Sequence, residues 1–201
     1  MTLASDLGAL DWRATVPMLL TQDVRLRELR VADAPALLSV LTEDVVRFIS
    51  PPPTTIEGFR QFIEWSHRRR EQGRYVSFGV VPEGCDVAVG IFQLQLSEEP
   101  KAKAEWGFAM GSPFWGRGLF VEGADAMLDF AFRGIGLDRL GTRVAVANER
   151  GNGALRKLGA VRERVIPNGL VRNGRYLDQY YWSICPEDRP RRKVIWDVRA
   201  R

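Results

Sequence analysis

The chain has 201 residues, of which 45% are hydrophobic and 27% charged, and its formal net charge is +4. These values are typical of one globular domain, and they argue against a disordered chain. Two cysteines without C-x-x-C spacing and the single histidine, His67, argue against a transition-metal centre. The sequence has neither an apolar run of roughly 20 residues nor a signal-peptide pattern, so we expect a cytoplasmic protein that does not enter the membrane.

Hydrophobic periodicity predicts seven strands and four helices in the order βααβββαβαββ. Alternating apolar residues mark the strands, and apolar residues three and four apart mark the helices. The predicted elements are a strand over 24–29, a helix over 33–41, a helix capped by Thr54 or Thr55 and ended by Gly73, strands over 75–81, 87–96 and 102–110, a helix over 119–132, a strand over 139–146, a helix over 151–158, and strands over 161–165 and 176–184, with turns at Asn168-Gly169 and Asn173-Gly174.

A glycine-rich turn separates the strand predicted over 102–110 from the helix predicted over 119–132. Gly116 and Gly118 let the backbone approach a ligand without a Cβ in the way. The first N–H groups of the following helix are unpaired and lie at the positive end of its dipole. This arrangement is typical of an anion site, with phosphate as the natural ligand. A short Gly-x-Gly also occurs in ordinary connections, so the motif alone leaves that alternative open.

Four groups of residues, together with the element order, carry a resemblance to a known family. In chain order they are Glu28-Leu29-Arg30 with Ala32-Asp33, Phe114-Trp115-Gly116-Arg117-Gly118-Leu119 with Glu122, Asn148-Glu149-Arg150 with Ala154-Leu155-Arg156-Lys157-Leu158-Gly159-Ala160, and Asp178-Gln179-Tyr180-Tyr181-Trp182-Ser183. The pattern resembles the GNAT acetyltransferase superfamily in the form of its RimJ/RimL-type branch. The resemblance implies an acetyltransferase domain over 21–185, between an N-terminal extension over 1–20 and a basic C-terminal tail over 186–201.

The resemblance implies an α/β fold with a mixed, mostly antiparallel sheet, flanked by helices and splayed between its fourth and fifth strands. Acetyl-CoA would bind in the resulting cleft without a metal. The turn would hold the diphosphate, and the preceding strand would pair with the pantetheine amides. The implied cofactor-binding residues are Phe108, Ala109, Met110, Trp115, Gly116, Arg117, Gly118, Leu119, Asn148 and Asn152. For Asn148, a role as an Asx turn or helix cap is the open alternative.

Two positions depart from the family pattern. Pro113 stands where the family usually has Gln or Arg, so one N–H donor is missing. Gly151 stands where the family often has a Ser whose hydroxyl protonates the departing thiolate. Phosphate binding should survive the first change because other donors remain. The second change could slow catalysis, or leave the acid role to Tyr180, Tyr181 or water.

The resemblance implies direct attack of a neutral amine on the thioester in a ternary complex, and we interpret Glu105 as the proton acceptor, acting through water. A surface or salt-bridging role for Glu105 is the alternative. The branch points to a peptide N-terminal α-amine, as on a ribosomal protein, which is partly neutral near pH 8. The acceptor pocket would be built by Pro52, Ile56, Phe59 and Asn168. Small-molecule amines stay open as acceptors.

Two other classes of function stay open from the sequence. Gly151 is compatible with a sensor or scaffold that binds acetyl-CoA but has lost the chemistry. The basic tail, with Arg189, Arg191, Arg192, Lys193, Arg199 and Arg201, would suit a nucleic-acid or ribosome-binding module, although no RNA-binding motif accompanies it. Exposed sheet edges and aromatic residues such as Trp196 are compatible with a homodimer.

Overall fold

The computed structural model describes residues 11–97, 103–189 and 194–197. The strands are β1 Met18–Leu20, β2 Val24–Glu28, β3 Tyr75–Pro82, β4 Gly90–Leu96, β5 Lys103–Met110, β6 Arg139–Ala145, β7 Val161–Arg172, β8 Arg175–Ile184 and β9 Ile195–Asp197. The α-helices are α1 Ala34–Val40, α2 Glu43–Val46, α3 Ile56–Glu71, α4 Leu119–Asp129 and α5 Glu149–Lys157, and a π-helical turn, Phe130–Ile135, follows α4.

The strands form one sheet in the order β7-β8-β6-β5-β4-β3-β2-β1-β9. All neighbours are antiparallel except β5 and β6, which are parallel. Within the described residues these two strands pair at only three positions, ending with Glu105 opposite Gly141. Beyond that pair they diverge and leave two unpaired backbone edges facing each other. The predicted mixed sheet, splayed between the fourth and fifth of the predicted strands, is therefore confirmed.

Helices cover both faces of the sheet, and each face has its own apolar core. Adjacent residues of a strand point to opposite faces, and on β4 Phe92 joins the core under α4 whereas Ile91 joins the core under α1 and α3. Leu155 of α5 belongs to the α4 core. We call the two sides the α4 face and the α3 face. The split between β5 and β6 thus opens between two helical layers.

A buried ion pair fixes the start of α1 against β2. Both guanidinium nitrogens of Arg27 donate to the Asp33 carboxylate, at 2.7 and 2.8 Å, and both side chains are almost fully buried. Burial acts to raise the pKa of Asp33, but hydrogen bonds from Arg27 and from the backbone N–H groups of Arg30 and Ala88 outweigh it and hold the pKa below its ordinary value. The pair therefore depends on an ionised carboxylate.

The observed elements differ from the predicted ones at several positions. The sequence does not predict β1, α2 or β9, because an element of three or four residues is too short to show a period. The prediction that a strand ends at residue 165 before a turn at Asn168-Gly169 is wrong, since β7 continues to Arg172 through a register shift between Ile166 and Leu170. The predicted turn at Asn173-Gly174 is confirmed as the β7–β8 connection.

Both stretches outside residues 21–185 contribute to the sheet where they are described. β1 pairs with β2, and β9 pairs with the outer edge of β1. Trp196 of β9 packs on Phe130 and donates its indole N–H to Asp129, at 3.1 Å. Arg189 forms a buried ion pair with Asp125 of α4, at 2.7 Å, so its charge is already used within the fold. Arg191, Arg192, Lys193, Arg199 and Arg201 lie outside the described residues.

Candidate active site

The divergence of β5 and β6 creates a groove of about 840 Å³. Phe108, Ala109 and Met110 of β5 line one wall, and Ala147 and Asn148, which follow β6, line the other. The backbone of β5 beyond Glu105 is paired with β4 on one side only, so N–H and C=O groups on its other side face the groove. A ligand with amide groups could pair with this edge as an added strand does.

The glycine turn forms an open cradle at the end of the β5 wall. Gly116 and Gly118 have φ values of +74° and +82°, and apart from the adjacent residues no described atom lies within 4 Å of where a Cβ would stand on either residue. Gly118 is the N-cap of α4, and the first N–H group of the helix with a helical acceptor is that of Glu122, which bonds the Gly118 carbonyl. The N–H groups of residues 119–121 are therefore free to bind an anion.

Aromatic and basic side chains border this cradle. The Trp115 indole donates to the Met110 carbonyl, at 2.7 Å, which ties the turn back to β5. The Arg150 guanidinium lies 4.3 Å from the Trp115 ring centroid, and the Arg117 guanidinium lies 5.9 Å from the Phe114 ring centroid. Two guanidinium charges beside the turn favour a polyanionic ligand.

Asn148 caps α5, whose N-terminus also opens on the groove. The Asn148 side-chain oxygen accepts a hydrogen bond from the Gly151 N–H, at 3.0 Å. Asn148 is therefore a helix cap, which is the alternative role that the sequence left open. A Cβ at Gly151 would stand 2.8 Å from the Asn148 side-chain nitrogen. Gly151, at the position where the family often has Ser, therefore leaves space for the capping side chain of Asn148.

Asn152, predicted to bind the cofactor, lies in the interior instead. Its side chain is 2% exposed, donates to the carbonyls of Ala145 and Val146, and accepts from the Trp182 indole N–H at 2.9 Å. All these groups join α5 to β6 and β8. The amide is fully used in structural bonds, so the prediction of cofactor contact for Asn152 does not fit the structure.

Glu105 lies at the apex of the split, outside the groove lining. Its carboxylate accepts from Arg143 of β6, at 2.7 Å, and both side chains are about half exposed. The Tyr181 hydroxyl occupies the space that a Cβ on Gly141 would need, and Gly141 is the strand partner of Glu105. Tyr181 and Glu105 therefore lie near each other on the α3 face. Tyr180 points to the opposite face, where it packs against the α4 core.

None of the four predicted acceptor residues lines the groove. Ile56 begins α3 and is exposed, and Pro52 is half-buried in the preceding loop. Phe59 is only 1% exposed and belongs to the α3 core, so its ring is not available to an acceptor. Asn168 lies in the register shift of β7, with its N–H bonded to Asp178 at 2.9 Å.

Sequence reasoning missed the wall of the groove that α2 provides. The lining residues from this region are Asp44, Val45, Arg47, Phe48 and Ile49. A weak signal was present, since Thr42 precedes two acidic residues, as is common at a helix start. The helix has only four residues, too few for a periodic pattern to reveal it.

Two negative findings apply to residues 11–97, 103–189 and 194–197. No group of three or more His, Cys, Asp or Glu side chains there could hold a metal ion. No helix in those ranges is both long enough and apolar enough to cross a lipid bilayer.

Comparisons with known proteins agree with this geometry. "Uncharacterized N-acetyltransferase p20" of Bacillus licheniformis is 23% identical over 172 residues, which cover 85% of this chain and 97% of that protein. The ribosomal-protein-S5-alanine acetyltransferase of Vibrio fischeri has a similar structure, with a TM-score of 0.77, 18% identity, and 87% of this chain and 99% of that chain covered. RimL, a ribosomal L7/L12 alpha-N-protein acetyltransferase solved with coenzyme A, gives a TM-score of 0.73, 20% identity, and 82% and 95% coverage.

The two structural likenesses show the fold, and the family follows from the sequence. A family model described as the acetyltransferase (GNAT) domain matches residues 23–161, a range that contains the split strands, the glycine cradle and the start of α5. The chain therefore belongs to the GNAT acetyltransferase family.

Proposed function

We propose that the protein transfers the acetyl group of acetyl-CoA to a peptide N-terminal α-amine by direct attack in a ternary complex. The observation that carries the proposal is the open cradle around Gly116 and Gly118 at the mouth of the split sheet. It combines free helix N–H groups with nearby guanidinium groups, as a diphosphate requires. RimL, which has the same fold, was solved with coenzyme A, and this supports the ligand.

We propose that acetyl-CoA lies along the groove and the glycine turn. The backbone from Trp115 to Leu119 would hold the diphosphate, with Arg117 as an added charge. The unpaired edge at Phe108, Ala109 and Met110 would bind the pantetheine amides, and Asn148 closes the opposite wall. When bound, acetyl-CoA would supply an activated thioester, while the chain itself orients the two reactants and excludes water.

Glu105 is the proposed proton acceptor for the incoming amine, acting through water because its carboxylate lies outside the groove lining. Its ion pair with Arg143 fixes the position of the carboxylate at the apex. The Tyr181 hydroxyl lies against Gly141, the strand partner of Glu105, so we propose it for the acid role that Gly151 cannot fill. Tyr180 is less suited, because it packs on the α4 face.

The acceptor class is supported by the similar proteins and by the chemistry of amines. The names of two structural neighbours specify ribosomal-protein acetylation, and one of them specifies an alpha-N-protein acceptor. An α-amine, with an ordinary pKa near 8, is partly neutral at pH 7 and requires less of a half-exposed carboxylate than lysine, near 10.4.

A thiol-release assay with acetyl-CoA tests the proposal over a panel of peptides and small amines. We expect turnover of peptides with a free N-terminus and no turnover of the same peptides when N-terminally blocked. Glu105→Gln should lower kcat by about a hundredfold and remove the base from the pH–rate profile, without changing coenzyme A affinity. Release no faster than background hydrolysis with every amine would reject the transferase function.

Gly151 favours one second candidate, a protein that binds acetyl-CoA but transfers its acetyl group slowly or not at all. The hydroxyl expected at this position is absent, and the Asn148 cap leaves little room for one. Calorimetric binding of acetyl-CoA without turnover of any amine would select this candidate.

A further inference from the structure

A second cavity lies outside the groove, where α3 packs on β3 and β4 ends. We call it the α3 cavity. Its volume is about 280 Å³, and its polar lining residues are Trp65, Arg69, Arg74, Tyr75, Gln95 and Ser97. None of these residues lines the groove, so the α3 cavity is a separate site. It is smaller than most pockets for drug-sized ligands, and its size suits one side chain or a small anion.

The register of the sheet brings the α3 cavity close to Glu105. Tyr75 pairs with Gln95, and Gln95 pairs with Glu105. Side chains directly opposite each other in antiparallel strands lie on the same face, so these three form a row on the α3 face. Neighbouring strands lie about 4.8 Å apart, and the row therefore spans about 10 Å. The proposed proton acceptor stands at one end of this row and the α3 cavity at the other.

The polar side chains of the α3 cavity all carry hydrogen-bond donors, and none of them is a carboxylate. Arg69 adds a permanent positive charge. Among the described residues its guanidinium donates to the Gln72 side-chain oxygen, at 3.0 Å, and forms no ion pair. Glu105, the nearest carboxylate along the row, is already paired with Arg143. Guanidinium, hydroxyl and amide donors around one small space suit a carboxylate, which can only accept.

Tyr75 is a second, independent indication of a ligand. Its side chain is 8% exposed, and its ring packs edge-on against Trp65, with the centroids 4.9 Å apart. Within the described residues its hydroxyl has no hydrogen-bond partner, yet it is not among the atoms closed off from solvent. Burial raises the pKa of Tyr75, so the phenol stays protonated and can donate. Polar groups of buried side chains are normally paired, and a carboxylate in the α3 cavity would supply the partner.

We propose that the α3 cavity binds an acidic side chain of the acceptor peptide. This inference rests on the proposed function and deepens it, because it names the substrate class as N-terminal segments with Asp or Glu close to the amine. An extended chain advances about 3.3–3.6 Å per residue, so about three residues cover the 10 Å between Glu105 and Tyr75. The acidic residue is therefore expected at the third position of the acceptor.

Two variants remove donors from the α3 cavity, and a third serves as their matched control. Arg69→Gln removes the charge, and Tyr75→Phe removes the hydroxyl but keeps the ring that packs on Trp65. Arg68→Gln is the control, because Arg68 carries the same charge at the preceding position of α3, is exposed and does not line the cavity. Coenzyme A affinity, measured by calorimetry, reports whether each variant keeps a folded groove.

The first readout is the ratio of kcat/KM for two peptides with a free α-amine that differ only in Glu or Gln at the third residue. The wild-type protein should prefer the Glu peptide by about tenfold, as expected for charge-assisted hydrogen bonds. Arg69→Gln should bring the ratio to about one, and Tyr75→Phe should lower it by about threefold. Arg68→Gln should keep the wild-type ratio. A Glu moved to the sixth residue should lose the preference.

The second readout does not depend on transfer. The same two peptides, N-terminally acetylated, are titrated into the protein saturated with coenzyme A. The Glu peptide should bind about tenfold more tightly than the Gln peptide to the wild-type protein and equally to Arg69→Gln. Free glutarate, titrated in the same way, distinguishes a carboxylate carried by the acceptor from a free small anion.

Equal use and equal binding of the Glu and Gln peptides by the wild-type protein overturn the proposal, whether or not glutarate binds. So does a preference that survives in Arg69→Gln, or one that Arg68→Gln lowers just as much. If Arg69→Gln fails to fold, Tyr75→Phe decides in its place. Transfer to no amine overturns the proposed function, and the binding of the acetylated peptides then still decides what the α3 cavity holds.

Discussion

Replacing Gly118 with alanine should weaken coenzyme A binding by about five- to thirtyfold. Gly118 has a φ of +82°, and the space where a Cβ would stand is open, so the added methyl group meets no atom. Its cost is therefore conformational, about 1–2 kcal/mol for a side chain in the left-handed region. A free turn can relax to avoid that strain, but binding of the diphosphate requires the strained geometry. The cost then appears in the dissociation constant, by the factor stated.

Isothermal titration with coenzyme A measures the effect, and Gly84→Ala is the matched control. Gly84 has a φ of +77° and equally open space, but it lies in the turn between β3 and β4, away from the groove. Gly84→Ala should keep the wild-type dissociation constant within about twofold while carrying the same backbone strain. An asparagine at position 118 should bind better than alanine, because Asn tolerates this region. Equal affinity in Gly118→Ala and wild type would refute the cradle.

Three further changes test the surroundings of the site. Asp33→Asn should lower the free energy of unfolding in urea by about 3–5 kcal/mol, because it leaves the buried Arg27 guanidinium without an opposite charge. The fold lowers the pKa of this carboxyl, so its contribution to the free energy of unfolding is complete above pH 3.8 and is lost as the pH falls through the pKa of the folded state. If the wild-type protein stayed more stable than Asp33→Asn at still lower pH, this reasoning would be contradicted. Asn152→Ala should cost about 1–3 kcal/mol in thermal unfolding by leaving the Trp182 N–H unpaired, with little change in cofactor affinity. Gly151→Ser should displace the Asn148 cap, so a rise in kcat would count against the geometry.

The cradle was predictable from the sequence because each of its parts is local. Gly116 and Gly118 lie within three residues of the start of α4, and both the positive φ values and the free N–H groups follow from that short stretch. Thr55 is a second example, since it caps α3 by accepting from the Gly58 N–H, at 3.0 Å. In both cases the residues that make the contact are also neighbours in the chain.

Other parts of the site depend on pairs far apart in the chain. Glu105 meets Arg143 across 38 positions, and Glu43 meets Arg172 across 129. No periodicity connects such residues, because the register between β5 and β6 and the bend in β7 bring them together. The sequence therefore supplied Glu105 as a candidate but neither its partner nor the wall formed by α2.

Residue type also failed to predict which way a side chain would face, as the two asparagines of α5 show. Asn148 and Asn152 are four residues apart, so both lie on one side of the helix. Of the two, only Asn148, at the cap, reaches the groove. Asn152, one turn later, lies against β6 and β8, where it accepts a hydrogen bond from the Trp182 indole. A hydroxyl at position 151 would compete with the Asn148 cap for the same space. A side chain at position 151 therefore requires the Asn148 side chain to shift.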